Sequence, residues 1–259
     1  MAERGVFRPF RAAIVFLTRV PVGIDGNEPP PMGAAVPWFP IVGVLLGFVG
    51  GIVYAAMWHV STPAVAATVA ITVLVLVTGA FHLDGLGDVA DGFAGGQTSE
   101  RRLEIMRDSR LGTYGVAAVV LALMTQVLAL AGLSPLFGLL ALMCAHCLGR
   151  SSALWLMATA PPARADGLGI DYLQTRSARG VLGGSLTGVV LTGVIWGLPG
   201  IAAVVVVGIA AAVMRRWSRL AIGGISGDVL GAMEQVGETL TLVVLVSFAS
   251  RASLELWWV

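Results

Sequence analysis

Three aspartates lie within eight residues of the segment HLDGLGDVADG, residues 82–92. Asp84, Asp88 and Asp91 follow the spacing i, i+4, i+7, which places them on one face of a helix. Like charges on one face repel unless a positive group lies among them, and converging carboxylates suit a hard cation such as Mg²⁺ or Mn²⁺. The spacing therefore predicts a metal site. The alternative is a solvated helix end.

A second charged stretch, RRLEIMRDSRLGTYG, follows at residues 101–115. Glu104 and Asp108 are four residues apart, and arginines that include Arg107 and Arg110 flank them. Metal-binding carboxylates beside arginines suit phosphoryl transfer, because a metal ion neutralises phosphate charge and arginine grips phosphate oxygens in bidentate fashion. The same arginines would also arise from the orientation bias of a cytoplasmic loop.

Two later stretches also combine charge with glycine. ARADGLG places Arg164 beside an aspartate and two glycines, and GGISGDVLGAMEQVGE joins a Gly-rich turn to Asp228, followed by Glu234 and Glu238. Such a turn can offer backbone N–H groups to an anion, although it lacks the lysine and the spacing of a P-loop. Ordinary loop chemistry explains either stretch equally well.

The composition is that of a membrane protein. Of 259 residues, 57% are hydrophobic and 12% charged, with a mean hydropathy of +0.88, whereas soluble domains carry about 25% charged residues. The net charge of +1 gives no reason to expect nucleic acid. Cys144 and Cys147 form a CxxC, but no second ligand pair accompanies it, so buried structural thiols are expected rather than a zinc site.

The apolar segments predict an all-α, polytopic integral membrane helical bundle in a single domain, residues 1–259. About seven transmembrane helices of roughly 20 residues are expected, with an interfacial amphipathic helix at the N-terminus. The seventh segment is the weakest and either spans or packs inside the bundle. The predicted spans are 36–58, 63–81, 112–133, 135–158, 181–197, 199–214 and 236–252.

The segments between these spans alternate in character. Short connectors without formal charge alternate with the arginine-bearing N-terminus and loops 82–111, 159–180 and 215–235; only Arg251 falls on the other side. By the positive-inside rule the charged segments are expected to face the cytoplasm. Every acidic residue except Glu255 lies on that side or at its boundary, so an active site is predicted at the cytoplasmic face.

Taken together, these stretches resemble the cobalamin synthase family, the adenosylcobinamide-GDP ribazoletransferases. The motifs HLDGLGDVADG, MRDSRLGTYG, ARADGLG and GGISGDVLGA, with FLTRVPVG near the N-terminus, carry the resemblance across nearly the whole chain. One departure is Ser226, where threonine is more usual in the family.

The resemblance implies a multi-pass enzyme of the bacterial cytoplasmic (inner) membrane. It would join adenosylcobinamide-GDP to α-ribazole or its 5′-phosphate, giving adenosylcobalamin or its 5′-phosphate and GMP, with Mg²⁺ as cofactor. Besides these corrinoid and ribazole substrates and the lipid bilayer, candidate partners are other enzymes of the late pathway and a second copy of the chain.

The predicted metal-bound site fits that chemistry. Asp84, Asp88 and Asp91 would hold Mg²⁺ against the pyrophosphate, with Asp88 and Asp108 as catalytic residues. Asp108 would complete the metal shell or accept the proton of the attacking hydroxyl. The predicted substrate and phosphate contacts are Arg107, Arg110, Arg164, Asp228 and His82, with Glu234 and Glu238 assigned to a second metal or to the nucleotide. For His82, a helix-end histidine without function is the alternative.

Two other functions fit parts of the sequence. DVADG looks like the start of the DxxDG motif of CDP-alcohol phosphotransferases, which act on lipids, but Gly95 and Gly96 stand where that motif has Ala-Arg, and Glu104 and Asp108 are out of register. A transporter would place ionisable residues near the bilayer midplane, whereas the sequence predicts the acids at one face.

Overall fold

The computed structural model describes residues 4–23, 32–163 and 177–249. The regular structure in these ranges is helical, and one isolated parallel bridge joins Pro162 and Ile225. The predicted all-α fold is confirmed. The helices are α1 (Arg4–Leu17), α2 (Met32–Ala35), a 3₁₀ turn (Val36–Trp38), α3 (Phe39–Trp58), α4 (Pro63–Thr78), α5 (Phe81–Gly95), α6 (Ser99–Ile105), α7 (Thr113–Ala131), α8 (Pro135–Thr159), α9 (Ala178–Trp196), α10 (Leu198–Ile222) and α11 (Gly227–Ala249).

The described residues contain six helices long and apolar enough to cross a membrane, and the bent pair of α4 and α5 raises the number to seven. The expectation of about seven is therefore confirmed. With 16 residues, α4 is about 24 Å long at 1.5 Å per residue. The short uncharged connectors precede α4, α8 and α10, so successive helices run in alternating directions and the charged segments gather at one end of the bundle.

A sharp elbow separates α4 from α5. Gly79 and Ala80 both adopt the left-handed conformation, with φ of 66° and 59°, and the two helices meet at 90°. A non-glycine residue with positive φ is strained by about 1 kcal/mol or more, so the surrounding packing must hold Ala80 in place. The elbow turns the aspartate-bearing helix α5 across the end of the bundle.

The predicted amphipathic helix at the N-terminus, α1, packs onto this elbow. The ring of Phe16 stacks on Phe39 of α3 at 5.5 Å and meets Phe81 of α5 edge-on at 5.4 Å. Just beyond α1, the backbone N–H of Arg19 donates to the carbonyl of Val77 at 2.7 Å. The apolar side of α1 therefore supports the bend from which α5 begins.

The predicted loops are the main point of difference from the structure. Residues 82–111 form two helices, α5 and α6, and most of 215–235 belongs to α10 and α11, with only 223–226 between them. Hydropathy predicts these two helices too short. The predicted span of α10 ends before the arginines of its last turns, and the predicted span of α11 begins after its first charged residues. If the seventh segment spans, Trp257 and Trp258 are expected to anchor it at the far interface, but both lie outside the described residues.

Candidate functional site

The three aspartates of the opening motif lie on a helix, as their spacing predicts. Along α5, Asp84 is exposed, Asp88 is half-buried and Asp91 is buried. We call these residues the acidic face of α5. Burial increases along the helix because its far end packs against α6 and α7, so the three carboxylates differ in how freely they meet a ligand.

Asp91 holds the start of α7. Its two carboxylate oxygens accept the backbone N–H groups of Gly112 at 2.6 Å and Gly115 at 2.9 Å. Unpaired N–H groups at a helix N-terminus carry partial positive charge, which a carboxylate neutralises. Asp91 therefore fixes the charged segment before α7 against α5, a role that its place in the motif did not predict.

The motif around Asp228 contacts α5 from the other end of the chain. Ser226 caps α11, because its hydroxyl accepts the N–H of Val229 at 3.3 Å and donates to Asp228 at 3.2 Å. A β-carbon built at Gly85 would lie 2.8 Å from the carbonyl oxygen of Asp228. The backbone of Asp228 thus lies directly against Gly85, the residue that follows Asp84.

The loop between α6 and α7 presents exposed charges. Nε and Nη2 of Arg110 donate to the two oxygens of Asp108 at 3.0 and 2.7 Å. These hydrogen bonds lower the pKa of Asp108 to about 2, and the same pairing raises the pKa of Arg110. A carboxylate with so low a pKa is a poor proton acceptor near neutral pH, which argues against Asp108 as the general base. Arg107 is exposed on the same loop.

The donor chemistry of this face fits Mg²⁺. Within the described ranges, no three His, Cys, Asp or Glu side chains already converge on one point as a metal site. Mg²⁺ does not need such a cage, because it keeps several waters and is bound through one or two carboxylates plus substrate phosphates. The exposed Asp84 and half-buried Asp88 supply such carboxylates. Both oxygens of Asp91 accept hydrogen bonds from the start of α7.

The structure also contains a buried charged cluster that the sequence did not predict. Nη1 of Arg150 and Nδ1 of His146 lie 2.6 and 2.7 Å from Oε1 of Glu238. His82 Nε2 lies 3.0 Å from Oε2 of Glu234. All five residues are at most 6% exposed. The expectation that the acids stay at one face is wrong for Glu234 and Glu238, which lie about 9 and 15 Å along α11 beyond Asp228.

A signal for this cluster was present in the sequence. His146 and Arg150 are spaced i, i+4 inside one apolar segment, and Glu234 and Glu238 have the same spacing in another. Ionisable residues within apolar spans are rare unless they pair with one another. Complementary pairs at matching helical spacing could therefore have predicted that α8 and α11 are neighbours.

Amide side chains extend the cluster towards α7. Nε2 of Gln235 donates to Oε2 of Glu238 at 3.0 Å, and Nε2 of Gln126 donates to Oε1 of Gln235 at 3.2 Å and to the Thr239 hydroxyl at 2.9 Å. A narrow pocket opens beside these groups under the elbow of α4 and α5. Three helices besides α5 thus contribute polar atoms to one buried site.

The remaining predicted residues are two cysteines, which the structure describes, and Arg164, which it does not. Cys144 and Cys147 are free and buried in α8, as expected for structural thiols. Arg164 lies outside the described residues, and so does most of its motif. The described chain before it ends at Ala163, whose N–H donates to the carbonyl of Ile225 at 2.8 Å, close to the turn that leads to Asp228.

Comparisons with known proteins agree on one family. The family model described as cobalamin-5-phosphate synthase matches residues 9–246. The chain is 38% identical over 248 residues to the adenosylcobinamide-GDP ribazoletransferase of Bradyrhizobium diazoefficiens, covering 95% of each chain. It is 37% identical over 250 residues to the protein of that name from Citrobacter koseri, covering 92% of this chain and 98% of the relative. No solved structure matches.

Proposed function

Since the chain belongs to the cobalamin-5-phosphate synthase family, we propose that the acidic face of α5 is the centre at which it joins adenosylcobinamide-GDP to ribazole. The enzyme is a transferase of late cobalamin biosynthesis, and a lipid-directed CDP-alcohol phosphotransferase is not favoured. The observation that carries the proposal is the contact of Gly85 with the backbone of Asp228, which brings two charged motifs side by side.

The reaction is a displacement at phosphorus. A ribose hydroxyl of α-ribazole or its 5′-phosphate attacks the phosphorus that is attached to cobinamide. A new oxygen–phosphorus bond forms, the bond to the GMP oxygen breaks, and the hydroxyl proton passes to a base or to water. The products are adenosylcobalamin or its 5′-phosphate and GMP.

Asp84 and Asp88 would hold Mg²⁺, with Asp228 beside them. A bound Mg²⁺ ion supplies charge neutralisation for the phosphate oxygens of the substrate. Asp91 keeps the segment before α7 against this face, and this segment presents Arg107 and Arg110 to the phosphates. The role of Asp108 that the structure favours is to orient Arg110, whose guanidinium it grips through two hydrogen bonds.

Localisation follows from the distribution of charge. We place the chain in the bacterial inner membrane as one domain, with the N-terminus and the charged segments in the cytoplasm, because arginines concentrate at that end of the bundle. Both substrates are water-soluble, so a reaction centre at the cytoplasmic end requires neither substrate to cross the bilayer. Arg164 stays a predicted phosphate contact on the same side.

The test uses purified protein in detergent or liposomes with adenosylcobinamide-GDP, α-ribazole phosphate and Mg²⁺. Formation of GMP and of the corrinoid product is followed by chromatography. We expect Asp88→Ala to lower kcat/KM at least about 100-fold, the scale of losing one group that stabilises transition-state charge. Glu100→Ala, which removes an exposed carboxylate of α6, serves as the matched control.

The outcomes separate the parts of the proposal. No product from folded wild-type protein would remove the proposed function. Product that survives both Asp88→Ala and a chelator would keep the reaction and reject the acidic face as its metal site. Product lost in the Glu100→Ala control would show that any carboxylate near this end matters, and would remove the special role of α5.

A further inference from the structure

The segment FLTRVPVG, residues 16–23, plays no part in the displacement described above, yet it is fixed against the elbow. The hydroxyl of Thr18 accepts the N–H of Val20 at 3.2 Å, which makes a tight turn around Arg19. Inside this turn, the N–H of Arg19 donates to the carbonyl of Val77 at 2.7 Å. The backbone of Arg19 is therefore held at the point where α4 ends.

The side chain of Arg19 is held as well. Gly79 has no side chain, and a β-carbon built there would lie 2.9 and 3.1 Å from Cγ and Cδ of Arg19, and still closer to its Nε. The aliphatic part of Arg19 therefore crosses the elbow in the space that Gly79 leaves. An arginine that serves only to orient a protein in the membrane needs no such fixed position.

The charged end of this side chain is available to a ligand. Arg19 is exposed, and its guanidinium makes no hydrogen bond or ion pair with any residue that the structure describes. A long charged side chain normally loses rotamer freedom when it binds, and this loss weakens binding. Because Gly79 already holds the aliphatic part, the planar fork of N–H donors is preorganised to meet an anion.

Asp84 lies about one helical turn beyond the place where Arg19 rests. The N–H of Asp84 donates to the carbonyl of Ala80 at 2.9 Å, and Ala80 directly follows Gly79. One turn of helix advances about 5.4 Å along its axis. The guanidinium is thus near the first carboxylate of the acidic face.

Arg19 also approaches α5 from the side that carries Asp84. The ring of Phe16, three residues before Arg19, meets the ring of Phe81 edge-on at 5.4 Å. Phe81 and Asp84 are both exposed and are three residues apart, so they share one face of α5. Gly85, by contrast, faces α11. One ligand can therefore contact Arg19 and Asp84 on the same side of the helix.

The charges of these two residues match a phosphate that carries its metal ion. Arg19 and Asp84 have opposite charges, yet they form no ion pair with each other. A phosphate alone would be repelled by Asp84, and a cation alone would be repelled by Arg19. A metal-bound phosphate offers its cation to the carboxylate and its oxygens to the guanidinium.

We propose that Arg19 binds a phosphate of the metal-bearing donor, adenosylcobinamide-GDP, at the elbow end of the acidic face. This role rests on the proposed function, because it adds a substrate-contacting residue to that site. The donor is chosen because its pyrophosphate is the group that the metal at Asp84 would hold. The segment FLTRVPVG would then be the rigid support that places one guanidinium beside Asp84.

The first experiment measures donor binding without turnover. Full-length protein in a maltoside detergent, which carries no phosphate, receives adenosylcobinamide-GDP and Mg²⁺ without acceptor, and its unfolding temperature is followed against donor concentration. We expect Arg19→Gln to weaken the apparent affinity roughly 10- to 100-fold, the scale of losing hydrogen bonds to a charged group. Without donor, its unfolding temperature should equal that of wild type. Equal affinities in the two proteins would overturn the proposal.

Arg216→Gln is the matched control, because it removes another exposed arginine at the same end of the bundle. It should keep the wild-type affinity, and an equal loss in this control would reduce Arg19 to a general effect of positive charge and overturn the proposal. Arg19→Lys keeps the aliphatic part over Gly79 and the charge but not the fork. It should bind the donor more weakly than wild type even if Arg19→Gln fails to fold.

The second experiment identifies which phosphate Arg19 contacts. The transfer assay is run with α-ribazole and with its 5′-phosphate, and kcat/KM for the donor should fall by the same factor in Arg19→Gln with either acceptor. A loss confined to the phosphorylated acceptor would assign Arg19 to the acceptor and overturn the proposal. A loss that appears in phospholipid liposomes but not in maltoside detergent would assign it to a lipid headgroup, with the same consequence. Wild type that binds the donor but forms no product would instead remove the proposed function itself.

Discussion

Gly85 of α5 and Asp228 of α11 touch through their backbones, because a β-carbon at residue 85 would stand 2.8 Å from the carbonyl oxygen of Asp228. We expect Gly85→Ala to push the two helices apart and to lower kcat/KM about 10- to 100-fold, since a displacement near 1 Å in a catalytic site can cost that much. The measurement is the rate of GMP release by reconstituted protein.

Gly227→Ala provides the control for this prediction. Gly227 belongs to the same motif, but a β-carbon there would meet nothing within 4 Å. Its kcat/KM should stay within about twofold of wild type, as for an ordinary surface change. Equal losses in the two variants would show that the activity depends on the motif's local backbone and not on the contact between α5 and α11.

Substitutions of Asp91 and Asp84 should affect different properties, stability for Asp91 and activity for Asp84. Asp91→Asn replaces an oxygen that accepts a backbone N–H with an amide that cannot accept it, so we expect the free energy of unfolding to fall by about 1–3 kcal/mol. Asp84→Asn changes an exposed side chain and should alter stability by less than about 0.5 kcal/mol, while lowering activity. Denaturant unfolding in detergent, together with the transfer assay, distinguishes the two. An unchanged stability for Asp91→Asn would contradict its role in holding α7.

The parts of this molecule that the sequence predicted are those with a local signal. Long apolar segments located the helices, and the i, i+4, i+7 spacing placed Asp84, Asp88 and Asp91 on one helix face. The elbow at Gly79 and Ala80 had no such signal, because the strain of Ala80 is tolerated only through packing from α1 and α3. Hydropathy predicts Glu234 and Glu238 as boundary acids, because it counts their charge and cannot count their buried partners, Arg150 and His82.

The losses of stability from removing Arg150 and from removing Glu238 should not add, because the two side chains form one buried ion pair. Arg150→Met leaves Glu238 buried without its guanidinium partner, and breaking a buried pair in this way costs about 3–5 kcal/mol. Changing both residues to methionine removes both charges, so the double variant should be more stable than Arg150→Met alone. Thermal unfolding of wild type, Arg150→Met, Glu238→Met and the double variant in one detergent tests this expectation, and losses that simply add would contradict it.

The pair of Arg110 and Asp108 leads to a prediction about pH. Because hydrogen bonds from Arg110 lower the pKa of Asp108 to about 2, its stabilising contribution is complete above the ordinary carboxyl pKa of about 4 and is lost only as the pH falls towards 2. In Arg110→Gln the pKa of Asp108 should return towards about 4, its ordinary value in the unfolded chain, so this contribution would be absent at every pH. Both proteins nevertheless keep Asp108 ionised from pH 5 to 8.

The ratio of kcat/KM between wild type and Arg110→Gln should therefore stay constant from pH 5 to 8, although the variant is slower because a phosphate contact is lost. Asp108→Asn should show the same constant ratio, and the double variant should lose little more than either single change, since the two side chains act together. Rates of GMP release across that pH range supply the measurement. A ratio that changes about tenfold between pH 5 and 8 would mean that Asp108 titrates there and would restore it as a candidate general base.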